Sequence, residues 1–492
     1  MAREPRHVFI AIIGTGFSGL GMAIRLKQNG IHDFVLFERA DDVGGTWRDN
    51  SYPGCACDVE SSLYSFSFAL NPSWRRKFSP QPEIWDYLRN CTDRFGIRPH
   101  IRFHHEVTHA AWDEAGGRWH VRTSQGDYTA CVLVSAVGTL SQPGDPRIPG
   151  LDRFEGKVLH SAHWDHEYAL EGRRVAVIGT GASAIQIIPE IQPRVGQLFV
   201  FQRTPPWVLP RFDRAITERE HRLLQTFPIL NRLSRLRIYV FREILGLGFR
   251  WRAASLGWKQ FALGYLARTV PDLALRAKLT PNYTIGCKRI LVSSDYLPAL
   301  TRPNVEVVTE GIAEVRARSI VTRDGSAREV DAILLATGFE VTDMPCGRYV
   351  RGRSGSLLAE VWQASPRAYL GTTVTGFPNF FILMGPNTGL GHSSVVLMAE
   401  SQITYVLKAI QHLRRHAAAA IEVRPEVQDQ FNAELDARMR GTVWLSGCRS
   451  WYLDRTGRNA MLWPASVGSF KRRLLRFRPA DYVFTPTGRK DG

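Results

Sequence analysis

Two glycine-rich turns carry the most chemistry in this 492-residue sequence: Gly14-Thr15-Gly16-Phe17-Ser18-Gly19 and Gly179-Thr180-Gly181-Ala182-Ser183-Ala184. Each follows an apolar, strand-like run and opens a stretch of helix formers. In such a turn the first glycine permits a tight bend and the second lets backbone approach a pyrophosphate. The third small residue lets helix and strand pack closely, while the helix N-terminus presents oriented N–H groups to the phosphates. Twenty-four residues past the first glycine stands Glu38 in one copy and Arg203 in the other. A carboxylate there accepts hydrogen bonds from ribose hydroxyls and repels a 2′-phosphate; an arginine attracts one. The first turn therefore suits FAD and the second suits NADP(H), with Thr204 as an added hydroxyl donor. A chain holding both couples hydride supply to a flavin.

Two further runs bear polar groups beside glycines. Gly44-Gly45-Thr46-Trp47 begins a segment that ends at Cys55-Ala56-Cys57-Asp58. Paired glycines before an aromatic let backbone pass close to a flat cofactor, and Asp58 places a carboxylate just beyond a turn. Between the two nucleotide turns lies Phe154-Glu155-Gly156-Lys157-Val158-Leu159-His160-Ser161-Ala162-His163-Trp164-Asp165. On its own, His160 reads as an interdomain histidine with satisfied hydrogen bonds.

The elements needed to position these groups are legible as a long-range repeat. Phe9–Glu38 and Val175–Arg203 share the order strand, glycine turn, helix, strand, which is the minimal dinucleotide-binding unit. The apolar runs Val132–Gly138 and Ile333–Phe339 read as returning strands, each followed by a crossover. The predicted fold class is α/β, with two Rossmann-like dinucleotide-binding domains (FAD and NADP) and a helical insertion in the second. Residues 1–140 and 340–492 are assigned to the FAD domain and 141–211 with 281–339 to the NADP domain. The insertion takes 212–280, where Ile229, Leu233, Leu236, Val240, Phe241, Ile244 and Leu245 fall at helical spacing.

Composition bounds the class. The chain is 44% hydrophobic and 22% charged, an ordinary globular balance. Its net charge of +17 comes from 63 basic residues, of which only nine are Lys. Arginine-rich bias and two polyanionic cofactors account for that excess, and no nucleic-acid module is visible. No apolar stretch is long enough to span a bilayer or to serve as a secretory core, so a soluble cytoplasmic protein is expected. The basic, aromatic-rich insertion leaves room for weak contact with a membrane surface, although a helical block packed on the second unit is the preferred reading. Seven cysteines without paired Cys-x-x-Cys spacing point to reduced, structural thiols and to no metal site.

At this level of detail the chain resembles the class B flavoprotein monooxygenases, and among them the type I Baeyer–Villiger monooxygenases. Phe154, Gly156, His160, Trp164 and Asp165 supply that family's Phe-x-Gly-x-x-x-His-x-x-x-Trp fingerprint with its acidic ending. Gly44 to Asp58 follows its Gly-Gly-x-Trp-x-x-x-x-Tyr-Pro-Gly-x-x-x-Asp pattern throughout. The resemblance implies that NADPH reduces FAD, that O2 then gives a C4a-peroxyflavin, and that this species converts a ketone to an ester or lactone through a Criegee adduct. It also implies roles for residues. In Gly286-Cys287-Lys288-Arg289, Arg289 would be the catalytic cation that stabilises the adduct together with NADP+, and Lys288 would join Arg203 and Thr204 around the 2′-phosphate. Asp58 would orient Arg289, His160 would act as a pivot between domains, and Trp451 would reach the nicotinamide nucleotide. Gly45, Thr46, Trp47, Asp58, Tyr64, Val107 and Val395 are the implied flavin contacts beyond the glycine turn.

The segments Cys55–Asp58 and Trp451–Asn459 depart from better-known members of that family. Three other readings compete. A flavin-containing N- or S-monooxygenase shares the cofactors but usually lacks the Trp-Asp ending. A pyridine nucleotide–disulfide reductase would use Cys55 and Cys57, at the cost of a strained small ring. A non-enzymatic flavin-binding module would hold the cofactors without turnover.

Overall fold

The computed structural model describes residues 4–486 apart from 251, 364 and 417. Strand β1 (Arg6–Ile13), helix α1 (Phe17–Gln28) and strand β2 (Phe34–Phe37) build the first unit. The one-turn helix α2 (Thr46–Asp49) and helix α3 (Gln81–Arg94) follow, then strands β3 (Ile101–Arg102), β4 (Val107–Asp113), β5 (Arg118–Thr123) and β6 (Gly126–Ser135). The second unit repeats the plan with β7 (Lys157–His160), β8 (Arg174–Ile178), α4 (Ala184–Ile191) and β9 (Gln197–Phe201). After the short β10 (Val208–Leu209) comes a helical block: α5 (Glu218–Thr226), α6 (Pro228–Arg250), α7 (Arg252–Thr269) and α8 (Leu273–Leu279). The chain then forms β11 (Leu291–Val292), α9 (Tyr296–Leu300), β12 (Val305–Val308), the meander β13 (Ile312–Arg316), β14 (Ser319–Thr322), β15 (Ala327–Glu329), and β16 (Ala332–Leu335). The last stretch holds β17 (Val350–Arg351), α10 (Leu358–Trp362), β18 (Phe380–Ile382), α11 (Val395–Arg415), β19 (Ala418–Val423), α12 (Pro425–Met439), α13 (Val467–Leu474) and β20 (Tyr482–Pro486).

The first sheet runs β17-β4-β5-β6-β1-β2-β3. Ten-residue β6 is its spine. Along one edge it pairs with β1; along the other it takes antiparallel β5 on its first half and parallel β18 on its second. Thus strands from beyond residue 340 complete the sheet begun at residue 6. The second sheet, β12-β9-β8-β16-β7, is parallel throughout. Central strands of such sheets are covered on both faces and so are apolar without alternation. Ile10 to Ile13, Val175 to Ile178 and Ala332 to Leu335 are all buried. The expected fold class therefore stands, with the helical block inserted between β10 and β11.

Two crossovers join the units side by side. Pro143 forms an antiparallel bridge with Phe339, flanked by hydrogen bonds from Gly144 N to Gly338 O at 2.9 Å and from Glu340 N to Gln142 O at 2.9 Å. The two crossovers thus form a double linker between the units.

The expectation of reduced thiols is corrected by the structure: Cys287 and Cys448 form a disulfide across 161 residues. Spacing rules detect cysteines that are neighbours in sequence, and these two are neighbours only in space. Cys55, Cys57, Cys91, Cys131 and Cys346 are free.

Candidate active site

Each glycine turn is forced by its packing. Gly14 has φ of +101°, and a Cβ on Gly19 would lie 1.9 Å from the Gly14 carbonyl oxygen. No L side chain fits there. The middle glycines behave differently: a Cβ on Gly16 would come no nearer than 3.9 Å to its neighbours, and one on Gly181 meets nothing within 4 Å among the described residues. Open space lies where a pyrophosphate must sit. Gly16 caps α1 without any side-chain hydrogen bond, which leaves the first-turn amides to an anion.

The second positions of the two turns tie them to the strand ends that discriminate the nucleotides. Thr15 donates from its backbone N at 3.2 Å and its Oγ1 at 2.6 Å to Glu38, while Thr180 Oγ1 donates to the Thr204 carbonyl at 3.1 Å. Glu38 is buried and also pairs with Arg48 at 3.0 Å, a partner that the sequence did not announce. In the second unit Arg203 lies near Lys288. Burial first, and then the Arg203 charge, lower the ammonium's proton affinity. The Lys288 Nζ rests over the Tyr283 ring at 4.8 Å. Two cations held together, with no carboxylate paired to either among the described residues, suit a doubly charged phosphate.

Around the first turn Phe17, Gly45, Trp47 and Tyr64, four of the expected flavin neighbours, meet. The Phe17 ring meets Tyr64 edge-on at 5.1 Å, and Trp47 Nε1 donates to the Tyr64 hydroxyl at 3.1 Å. Gly45, at φ +52°, brings the loop so close that a Cβ would be 3.2 Å from Gly16 Cα, with Thr46 opening α2 directly behind it. Val395 is the first residue of α11, whose N-cap Ser394 accepts from Val396 N at 3.3 Å; Val107 begins β4 and is buried. Ser18 and Ala184 are buried in the first turns of α1 and α4, whereas Ala182 is exposed and Ser183 half-buried.

Arg289 and Asp58 meet across the units. The Arg289 guanidinium donates to one Asp58 oxygen from Nη2 at 2.6 Å and from Nε at 3.2 Å. Burial pushes the Asp58 carboxyl up, but the Arg289 charge, with Arg242 and Arg211 behind it, outweighs burial and holds it below the usual carboxylate range. Asp58 in turn raises the Arg289 pKa against burial. The pair is therefore fully ionised at neutral pH. Arg289 keeps 29% of its side-chain surface open, enough for a third partner.

The supports of this pair were missed by sequence reasoning. Arg242 of α6 donates to Glu60 Oε2 at 2.8 Å and to the Asp58 carbonyl at 3.2 Å, and Arg211 donates to the Cys57 carbonyl at 3.2 Å. The buried Tyr452 hydroxyl is close enough to Arg289 to feel its charge; burial pushes its pKa up to about 12. Tyr52 donates to Gln186 at 3.0 Å, and Gln186 donates back to the Ala56 carbonyl at 2.9 Å, so the loop before Asp58 is docked on α4. Gly54 belongs to that contact, since its Cβ would be 2.6 Å from the Gln186 carbonyl oxygen. An apolar cluster that includes Phe249, Phe339, Ile290, Trp444 and Tyr452 adjoins the cation through Tyr452.

The fingerprint between the turns is structural at most of its positions. A Cβ on Gly156 would strike the Asp331 carbonyl oxygen at 2.5 Å and the Phe154 ring at 2.6 Å. Asp165 pairs with Lys157 at 2.6 Å, and Trp164 packs half-buried on the core. His160 Nδ1 accepts from Ala162 N at 3.1 Å and its ring stands edge-on to Phe339 of the crossover. Its Nε2 is buried with no partner among the described residues, and burial lowers its pKa, so the ring is neutral. Trp451, by contrast, is 44% exposed, and its ring lies tilted against Tyr452 with centroids 4.3 Å apart. Cys55 and Cys57 are buried and not disulfide-bonded, and burial pushes the Cys55 thiol up to about 12, which opposes a thiolate relay.

Two nucleotide turns, with an ionised Arg–Asp pair bridging their units, define a flavoprotein oxidoreductase that takes hydride from a nicotinamide. Comparison with known proteins narrows this. Residues 7–220 match the flavin-binding monooxygenase-like family model. A Baeyer–Villiger monooxygenase of Streptomyces coelicolor is 52% identical over 97% of this chain and 92% of its own. Cyclohexanone monooxygenase from Rhodococcus sp. Phi1 bound to NADP+ superposes with a TM-score of 0.88 at 30% identity, covering 98% of this chain and 100% of that one. An OTEMO complex with FAD and NADP gives 0.89 at 26% identity, over 98% and 100%. The chain belongs to the Baeyer–Villiger monooxygenases within the flavin-binding monooxygenase-like family.

Proposed function

We propose that this enzyme uses FAD and NADPH to convert ketones to esters or lactones with O2, and that Arg289 is its catalytic cation. The single observation that supports this most is the 2.6 Å pair between Arg289 of the second unit and Asp58 of the first. FAD is assigned to Gly14–Gly19, Glu38 and the Gly45–Trp47 loop, with Tyr64, Val107 and Val395. NADPH is assigned to Gly179–Ala184, Arg203, Thr204 and Lys288, with Trp451 reaching it on closure. When bound, the flavin takes hydride from the nicotinamide and supplies the activated oxygen.

The protein's part is electrostatic. Arg289 holds a fixed positive charge for the oxygen that becomes negative as a carbonyl turns tetrahedral, and it cannot lose its proton to a base there. Asp58 fixes the guanidinium's orientation, and the apolar cluster keeps the local dielectric low. His160, wedged against the crossover, is a positioning residue at the hinge. The domain division given above follows the same logic, the two units closing on one another through the double linker. We place the enzyme in the cytoplasm. Among the described residues no helix is long and apolar enough to cross a membrane.

Arg289→Ala tests the assignment. NADPH should still bleach the bound flavin under anaerobic conditions, while ester formation should fall by about 10²–10³-fold or more. Undiminished ester production would remove Arg289 from the reaction. Oxygenation of sulfides or amines alone, across a panel of linear, cyclic and aryl ketones, would favour the N- or S-monooxygenase instead.

A further inference from the structure

Helix α6 has two faces of opposite character. Its inner face is committed to the protein. Buried Arg235 donates to the Ser62 and Ser65 carbonyls, Arg242 to Glu60, and Glu243 accepts from Val467 N. Its outer face carries Ile229, Leu233, Leu236, Val240 and Ile244, which are 57%, 52%, 55%, 46% and 60% exposed. Their spacing of three and four residues lays them in one stripe along about four turns. A stripe of this length on a soluble surface marks a contact.

Charge says with what. Between residues 218 and 273 there are ten basic and four acidic residues, and of the basic ones Arg235 and Arg242 are turned inward. Arg232 and Arg250 flank the stripe on one side and Arg237 on the other, all exposed. At the helix end, Arg250 converges with Arg438 and Arg440 on a cavity of about 210 Å³, completed by Thr442 and Pro464. Arg438 is also paired with Glu434 at 2.7 Å. A second copy of this chain would bring the same arginine rims face to face, which like charge opposes. An anionic bilayer satisfies both features, apolar side chains entering the acyl boundary and guanidinium groups meeting lipid phosphates.

We propose that the outer face of α6 docks this enzyme on anionic membrane surfaces, the helix lying in the interface rather than crossing it. The same helix carries Arg242 and Phe249 to the Arg289 site, so a docked enzyme would draw apolar ketones from the lipid; that clause alone rests on the ketone oxygenation proposed above.

The test is flotation of the FAD- and NADP+-loaded protein with vesicles of equal parts phosphatidylglycerol and phosphatidylcholine, against phosphatidylcholine alone. The protein should float with the anionic vesicles, release at high salt, and bind the neutral ones about tenfold less or weaker. Combining Ile229→Ser, Leu233→Ser and Leu236→Ser should weaken anionic-vesicle binding by about tenfold or more. Failure of the unaltered protein to float overturns the proposal without recourse to any variant, as does equal flotation of the triple variant. A dimer that the triple variant dissociates, with no flotation, would assign the stripe to a second copy and also overturn it.

Discussion

Asp58 and Arg289 come from positions 231 residues apart and hold each other ionised. Because the folded Asp58 pKa is depressed, its contribution to stability is complete above the ordinary aspartate pKa of about 4 and is lost as pH falls through the lower folded value. Asp58→Asn should cost about 1–3 kcal/mol, a buried-pair penalty discounted for the quarter of each side chain left open. Thermal midpoints measured from about pH 3 to 7 should show that gap constant at the neutral end and closing in acid; a gap that widens in acid would contradict the sign. The sequence made this pair legible through family motifs. It hid Arg242 and Arg211, which lie on the helical block and on the chain leading to it, where no motif marks them. Arg235 and Arg242, seven residues apart on the inner face of α6, were the only hint. Tyr452 was overshadowed by its neighbour Trp451, since sequence does not reveal which of two adjacent aromatics turns inward.

At the scale of elements, the glycine turns were legible because backbone geometry demands them. Arg203 and Lys288 follow the strand ends that those turns fix. Arg203→Ala should raise KM for NADPH roughly tenfold and leave KM for NADH nearly unchanged, since only the phosphate contact is lost. An unaltered preference would undo the phosphate clamp. Gly156→Ala should destabilise the fold by about 1–3 kcal/mol, because the new methyl group meets the Asp331 backbone carbonyl, just before β16, at 2.5 Å. Denaturant melts would show it; a neutral substitution would mean that this fingerprint glycine has a purpose other than packing. The helical block was recognised by its periodicity. Which of its faces turns inward was not, because apolar residues occupy both sides.

Across the whole molecule, the repeat Phe9–Glu38 and Val175–Arg203 disclosed two units, and the sheet built from β1, β6 and β18 shows why the chain must return to the first. Strand order of that kind follows from pairing, which local patterns do not encode. The Cys287–Cys448 bond was illegible for the same reason. Titration of the unfolded chain should count five free thiols before reduction and seven after it. Cys448→Ser should cost about 2–4 kcal/mol, as expected for opening a long loop in the unfolded state. Seven thiols without reductant would show the pair to be open.

The central claim is that one guanidinium from the second unit serves the flavin held by the first. A crystal structure with FAD and NADP+ bound measures this directly. Arg289 should face the isoalloxazine ring across the domain cleft while still bonded to Asp58; an Arg289 turned away from the ring in every arrangement of the two units would contradict the account.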